Sequence, residues 1–130
     1  MILDTTVLVD LLRRDDHASE KVRDLEEGGR LLWVPSPSVF ELFEGIERAD
    51  RPRKEATKVE TVLDSYTVLS FETVHARQAG RISGQLVRRG EMLDPIDVQI
   101  AGLALVEDHP VLTRNVNDFE QVPDLDVVTY

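Results

Sequence analysis

The sequence predicts an α/β fold, a three-layer sandwich in which a mostly parallel central sheet carries helices on both faces. Three observations predict it. Short β-rich apolar runs alternate with longer stretches of helical periodicity from one end of the chain to the other. Strands separated by helices imply βα crossovers, and these produce parallel strands buried on both sides. At 130 residues the chain is long enough for one domain around one core and too short for two.

Each element has a local justification. MIL (residues 1–3) is an apolar run that stops at Asp4, and the following TVLVDLL reads as a helix that Asp4 can cap. Asp16 can cap a helix through SEKVRDLEE that ends at Gly28–Gly29. LLWVPS (31–36) is a bounded strand, after which Ser36–Pro37 opens a helix through VFELFEGIERA. RKEATKVETVLDSY and TVHARQAGRISGQLVRR show 3.6-type spacing on either side of the strand TVLSF (67–71), and the second helix ends at Gly90. Asp94–Pro95, a cap residue followed by proline in the first helical position, starts IDVQIAGLALVED. PVLT (110–113) and DVVTY (126–130) complete the strands, and Asp118 can cap a short helical turn over DFEQV between them.

Composition narrows the function. There are 25 acidic and 15 basic residues, a net charge of −10, and only Lys21, Lys54 and Lys58 are lysine. Such a surface is either a solvated acidic face or an adaptation to a high-salt cytoplasm, where at ~1 M the screening length falls to about 3 Å. It excludes a general nucleic-acid-coating protein, which shows a basic patch. A nucleic-acid enzyme with this charge needs metal ions or local arginines. The absence of cysteine excludes disulfides, iron–sulfur clusters and thiolate zinc sites. No apolar stretch approaches the roughly 18 residues of a membrane span, so a soluble, cytoplasmic protein is expected. With 42% hydrophobic but only 5% aromatic residues, the core must be aliphatic.

In sheets of this kind ligands sit beyond the carboxyl ends of the strands, which places Asp4 at the rim of the first strand. Glu41 lies early in the helix after the second strand, Asp97 lies just inside the Asp94–Pro95 helix, and Asn115 and Asp118 follow the VLT strand. Each has an ordinary structural reading. Asp4 and Asp118 can be caps, Asp97 can favour a helix dipole, and Glu44 and Glu47 are as good candidates as Glu41. Gathered at one edge, however, these carboxylates repel one another unless divalent cations join them. Hard oxygen ligands without Cys or His favour Mg²⁺, with Mn²⁺ as a substitute. A pair of such ions about 4 Å apart activates water and stabilises the leaving oxygen of a phosphodiester. The isolated histidines, His17, His75 and His109, read as surface or packing residues.

In order and context these segments resemble the PIN-domain ribonucleases, and among them the VapC-type toxins of type II toxin–antitoxin pairs. MILDTTVLVDLL is similar to that family's first motif, SVFELFEGIERA to the second, LDPIDVQIAGLAL to the third and VLTRNVNDF to the fourth. The third match falls on Asp97 rather than Asp94. The resemblance spans residues 1 to about 127, so residues 1–130 form a single PIN-like domain. It implies a Mg²⁺-dependent endoribonuclease with Asp4, Glu41 and Asp97 as catalytic acids, Asp4 and Asp97 holding metal. It also implies an RNA substrate, a small antitoxin whose C-terminal segment crosses the site, and a homodimer. Asn115 stands where many members carry a fourth acid, with Asp118 as an auxiliary. Thr5 or Thr6 is positioned to hydrogen-bond a ligating carboxylate or the phosphate, and Arg114 to meet RNA.

Three rival readings remain to be weighed. A phosphoacceptor receiver domain also clusters acids around Mg²⁺, but it needs paired acids after strand one and a late lysine, and no lysine follows Lys58. An Asp-x-Asp phosphatase is disfavoured because residue 6 is Thr. A PIN-like module that has lost activity and binds only a partner is kept open by Asn115.

Overall fold

The computed structural model describes residues 1–130. Its elements follow the alternation of the sequence. β1 (Ile2–Leu3) leads into α1 (Thr5–Leu12) and α2 (Asp16–Glu27); β2 (Trp33–Pro35) leads into α3 (Ser36–Arg48) and α4 (Pro52–Asp64). β3 (Thr67–Leu69) precedes the antiparallel-packed helices α5 (Thr73–Arg88) and α6 (Pro95–Glu107), and β4 (Val111–Leu112), α7 (Val116–Phe119) and β5 (Val127–Val128) complete the chain. The strands order as β3-β2-β1-β4-β5, and all four pairings are parallel rather than mostly so. β1 is the middle strand, with Ile2 opposite both Trp33 and Val111.

Alternation along the strands sorts the core into two layers. Ile2 and Val111 face α5 and α6, packing with Ile82, Leu86 and Leu103 as well as Phe119. Leu3, Val34 and Leu112 face the opposite way, toward Leu8, Leu42, Ile46 and Val59. Each such side chain, once buried, contributes about 1.5–3 kcal/mol of hydrophobic stabilisation. The three-layer sandwich therefore follows from period-two patterning in strands only two or three residues long.

α6 is apolar around most of its circumference, with Val98, Ile100, Ala101, Leu103 and Ala104 all buried. It lies so close to α5 that a Cβ on Gly102 would sit 2.7 Å from the Ala79 backbone nitrogen and 2.9 Å from its Cα and Cβ. Glycine is required there by space.

Several local expectations change. α2 is capped by Asp15, whose Oδ1 accepts the Ala18 N–H at 2.9 Å, and Asp16 is the first helical residue. Asp4 occupies the N-cap position of α1 but makes no capping hydrogen bond. Asn115, not Asp118, precedes α7, and Asp118 lies within its first turn. The third strand ends at Leu69 instead of residue 71, because the Phe71 N–H leaves the ladder and donates to Ser36 Oγ at 2.9 Å. Asp94 caps α6 as expected, accepting from the Ile96 N–H at 2.9 Å. No helix is long and apolar enough to cross a membrane.

Candidate active site

Parallel strands bring the segments that follow β1, β2 and β4 to one edge of the sheet, and α6 enters the same edge with its first turn. Asp4 leaves β1 there and is 1% exposed. Its Oδ2 accepts from the Thr6 hydroxyl at 2.9 Å and the Thr113 hydroxyl at 2.7 Å, so the capping role is given up for contacts across the sheet. Each threonine has one hydroxyl proton, and each oxygen accepts a backbone N–H in turn, Arg114 onto Thr6 and Asn115 onto Thr113. The β4–α7 turn is thereby fastened to the carboxylate it faces.

Glu41 is held differently. Its Oε1 accepts from the Thr5 hydroxyl at 2.6 Å, and Thr5 lies 2.8 Å from the fully buried Ser38 hydroxyl. Because Thr5 has a single proton to give, Ser38 completes the chain as the donor. Glu44 instead points along the helix surface to Arg48 at 3.3 Å, which separates the two glutamates that the sequence left equivalent. Burial raises the Glu41 carboxyl above its usual range, the Thr5 hydrogen bond opposes the shift, and the charges of Asp4, Asp94 and Glu44 add to it. Asp97 is pushed up to about 7, first by burial and then by Asp4, Asp94, Glu41 and Asp118. Asp118 accepts from the Asn115 amide at 2.6 Å, so the neutral residue in the fourth position orients an acid near the cluster.

Asp4, Glu41, Asp97 and Asp118 are thus close enough to feel one another, and none forms an ion pair. Arg114 does not compensate them. Its Nη1 donates to Asp10 Oδ1 at 2.9 Å on the other side of the turn, which leaves the expected RNA contact to a guanidinium that is already paired, though exposed. No three acids or histidines converge tightly enough to form a ready-made cage. An all-oxygen set of uncompensated acids still fits Mg²⁺, which keeps several waters and takes only one or two carboxylates from the protein. The histidines stay outside the cluster. His75 is buried, accepts the Glu72 N–H on Nδ1 at 2.8 Å and reaches Glu107 through Nε2 at 2.8 Å.

The PIN domain family matches residues 1–125. The chain belongs to that family. Ribonuclease VapC19 of Mycobacterium tuberculosis is 30% identical over 128 residues, covering 95% of each chain. Ribonuclease VapC2 of Haemophilus influenzae is 26% identical over 121 residues, 93% of this chain and 90% of its own. The tRNA(fMet)-specific endonuclease VapC of Shigella flexneri is 26% identical over 124 residues, 95% and 92%. Among solved structures, VapBC from Salmonella typhimurium bound to DNA superposes with a TM-score of 0.89 at 27% identity, covering 98% of this chain and 96% of that one. VapBC2 from Rickettsia felis on a promoter DNA fragment has a TM-score of 0.92 at 19% identity, 99% and 97%, and so shares the fold.

Within this PIN domain, three polar residues that sequence reasoning passed over hold the site in place. Ser38 and Thr113 are fully buried and sit behind Glu41 and Asp4. Asp10 is 4% exposed and anchors both Arg114 and Tyr130. Asp10 did carry a signal: it interrupts the apolar run VLVDLL much as Asp4 interrupts MILDTTV.

Proposed function

We propose that this PIN domain is the toxin of a toxin–antitoxin pair, an endoribonuclease that cleaves looped or single-stranded RNA through Mg²⁺-assisted attack of water on a phosphodiester. The carrying observation is the unbalanced acid cluster: Asp4, Glu41, Asp97 and Asp118 gathered at one edge of the sheet with no ion pair to any of them, a crowding that with burial raises the Asp97 carboxyl. Such repulsion is a cost to the fold that a bound cation would offset. Asp4 and Asp97 would hold the ion, or Mn²⁺ in its place, with Asp118 as an auxiliary ligand. When bound, the ion neutralises phosphate charge and makes water more acidic.

The chain's own side chains account for the rest. The Thr6 and Thr113 hydroxyls occupy Asp4 Oδ2, which fixes the carboxylate and leaves Oδ1 without a protein donor. Thr5 and Ser38 fix Glu41, which orients the attacking water and receives its proton as the new P–O bond forms, while the bridging P–O bond breaks and the leaving oxygen takes a proton from solvent. The raised affinity of Glu41 for a proton suits that task. Solved structures of the same fold include a toxin–antitoxin complex from Klebsiella pneumoniae and a VapBC toxin–antitoxin member from Mycobacterium tuberculosis, and an antitoxin segment lying over the acids is the corresponding partner here. Pairing with a second copy has apolar surface available on α3, where Phe40 is 59% and Phe43 41% exposed.

A time course on RNA, with tRNA(fMet) the first to offer because a relative is specific for it, tests the reading. The parent is expected to cleave only with Mg²⁺ or Mn²⁺, and Asp4→Asn to lose on the order of 10²–10³ in rate with its circular dichroism unchanged. Equal cleavage by both proteins would point to a contaminant and overturn the assignment. A folded parent that never cleaves would favour the partner-binding module instead.

A further inference from the structure

Beside the acid cluster the surface changes sign. A depression of about 360 Å³ is lined by Thr5 and Glu41 of the site and also by Arg13 and Lys58, beyond the end of α1 and on α4. Two further depressions, about 320 and 550 Å³, are each lined by both Lys54 and Lys58 and bring in Arg51 and Arg14 respectively. Together they form one groove that starts at a site acid. All five cations are exposed, and none forms an ion pair, although Asp50 and Glu55 are also in the lining. Two of the chain's three lysines are here.

In a chain of net charge −10, five cations gathered on one stretch of surface need a reason. Arg14 adds a second observation. It follows α1 in the left-handed region with φ 57°, while the Arg14 and Asp15 N–H groups close the helix onto Leu11 and Asp10. Glycine is favoured at that position, and arginine is present despite the strain.

We propose that this groove is the track that leads a single-stranded RNA backbone to the acids, its phosphates met by Arg13, Arg14, Lys54 and Lys58. The inference rests on the RNA-cleaving reading above and adds the path of the substrate. An acid cluster repels RNA, so approach requires a local field of opposite sign that survives near the site. The groove is open, as an extended strand needs, and its lining holds no aromatic side chain on which a base can stack. Recognition along it is therefore through phosphates and indifferent to sequence, leaving base choice to other surfaces.

Binding is measured by fluorescence anisotropy with a labelled single-stranded RNA of about 12 nucleotides, in EDTA and in the Asp4→Asn background so that the RNA survives. Each phosphate contact contributes about −0.7 to the slope of log affinity against log salt. Lys54→Ala/Lys58→Ala is expected to flatten the slope by about 1.4 and Arg14→Gly by about 0.7. Arg14→Gly should also raise the melting midpoint, so its weaker binding cannot come from misfolding. Arg77→Ala on α5, across the sheet, should leave the slope unchanged. In the Asp4 parent with Mg²⁺, the lysine variant should lose kcat/KM while kcat at saturating RNA holds. Unchanged slopes in the groove variants, or no RNA binding at low salt, would overturn the track. Loss of affinity for oligoglutamate with RNA slopes intact would also overturn it, assigning the groove to an acidic protein segment. If the slopes respond but the parent never cleaves, the nuclease reading fails and the track stands.

Discussion

The turn of residues 113–115 separates two groups of carboxylates that the chain treats in opposite ways. On one side, Asp10 accepts from the Tyr130 hydroxyl at 2.6 Å and from Arg114 at 2.9 Å, so a buried negative charge meets one positive charge and one neutral donor. Burial and the Asp10 hydrogen bond push the Tyr130 phenol well above its usual range, which keeps it a donor throughout the physiological span. On the other side, Asp4 and Glu41 receive hydroxyls and Asp118 one amide, and neither these nor Asp97 pairs with a cation. This protein therefore has the means to balance an acid at this edge and uses them on Asp10. The second group is left without a compensating charge from the chain, which is the imbalance that the proposed metal ion would relieve.

The contrast gives three measurable differences, of falling size. Asp10→Ala removes the common partner of Arg114 and Tyr130 and should cost about 3 kcal/mol, read as a lower urea midpoint at unchanged m-value. A loss below ~1 kcal/mol would mean that the Asp10 group is not a structural lock. Mg²⁺ at a hundredfold excess over its dissociation constant should stabilise the parent by about 2.7 kcal/mol at fixed ionic strength, an effect that Asp97→Asn should largely abolish. A parent whose melting midpoint ignores millimolar Mg²⁺ and Mn²⁺ would remove the metal site.

The third difference depends on pH. Because the folded Asp97 carboxyl is raised from 3.8 to about 7, the folded chain holds a proton that the unfolded chain gives up. Stability without metal is therefore full below about 4 and is lost as pH rises through about 7. Asp97→Asn escapes that loss. In EDTA at pH 8 it should be the more stable protein by on the order of 1–2 kcal/mol, discounted from the full linkage value for partial exposure, and the advantage should vanish near pH 4. Destabilisation at both pH values would instead make Asp97 a packing or dipole residue.

Much of this architecture was legible because it is written in short-range patterns. Apolar runs of period two and 3.6, Asp94–Pro95 and the glycines at 28–29 and 90 act within a few residues of themselves, and the structure follows them. Where two neighbours offered the same chemistry, pattern alone failed. Asp15 and Asp16 are both able caps, and only backbone geometry selects Asp15. Glu41 and Glu44 share a helix, and it is the hydroxyl of Thr5, 36 residues away, that draws Glu41 into the site. Ser38 and Thr113 had no comparable signal, and Asp10 showed only as a charge in an apolar run, with nothing nearby to name its partners. Thr113 acts on a residue 109 positions away and Asp10 on one 120 away, so their roles arise from the sheet order and not from their surroundings in sequence. The candidate acids were singled out through their order along the chain.

Gly102 has a mechanical meaning for the site. Its missing side chain lets α6 rest against the Ala79 backbone as on a pivot, and Asp97 stands five residues nearer the helix start, about 7.5 Å along the axis. Even a methyl group at the pivot must lift the helix or rotate it, and a stiff helix carries that displacement to its end. The position of one carboxylate is thus set from the interior, by a contact that holds no charge and touches no ligand. A drug or a drift of sequence acting on the α5–α6 seam would change the nuclease without ever reaching its mouth.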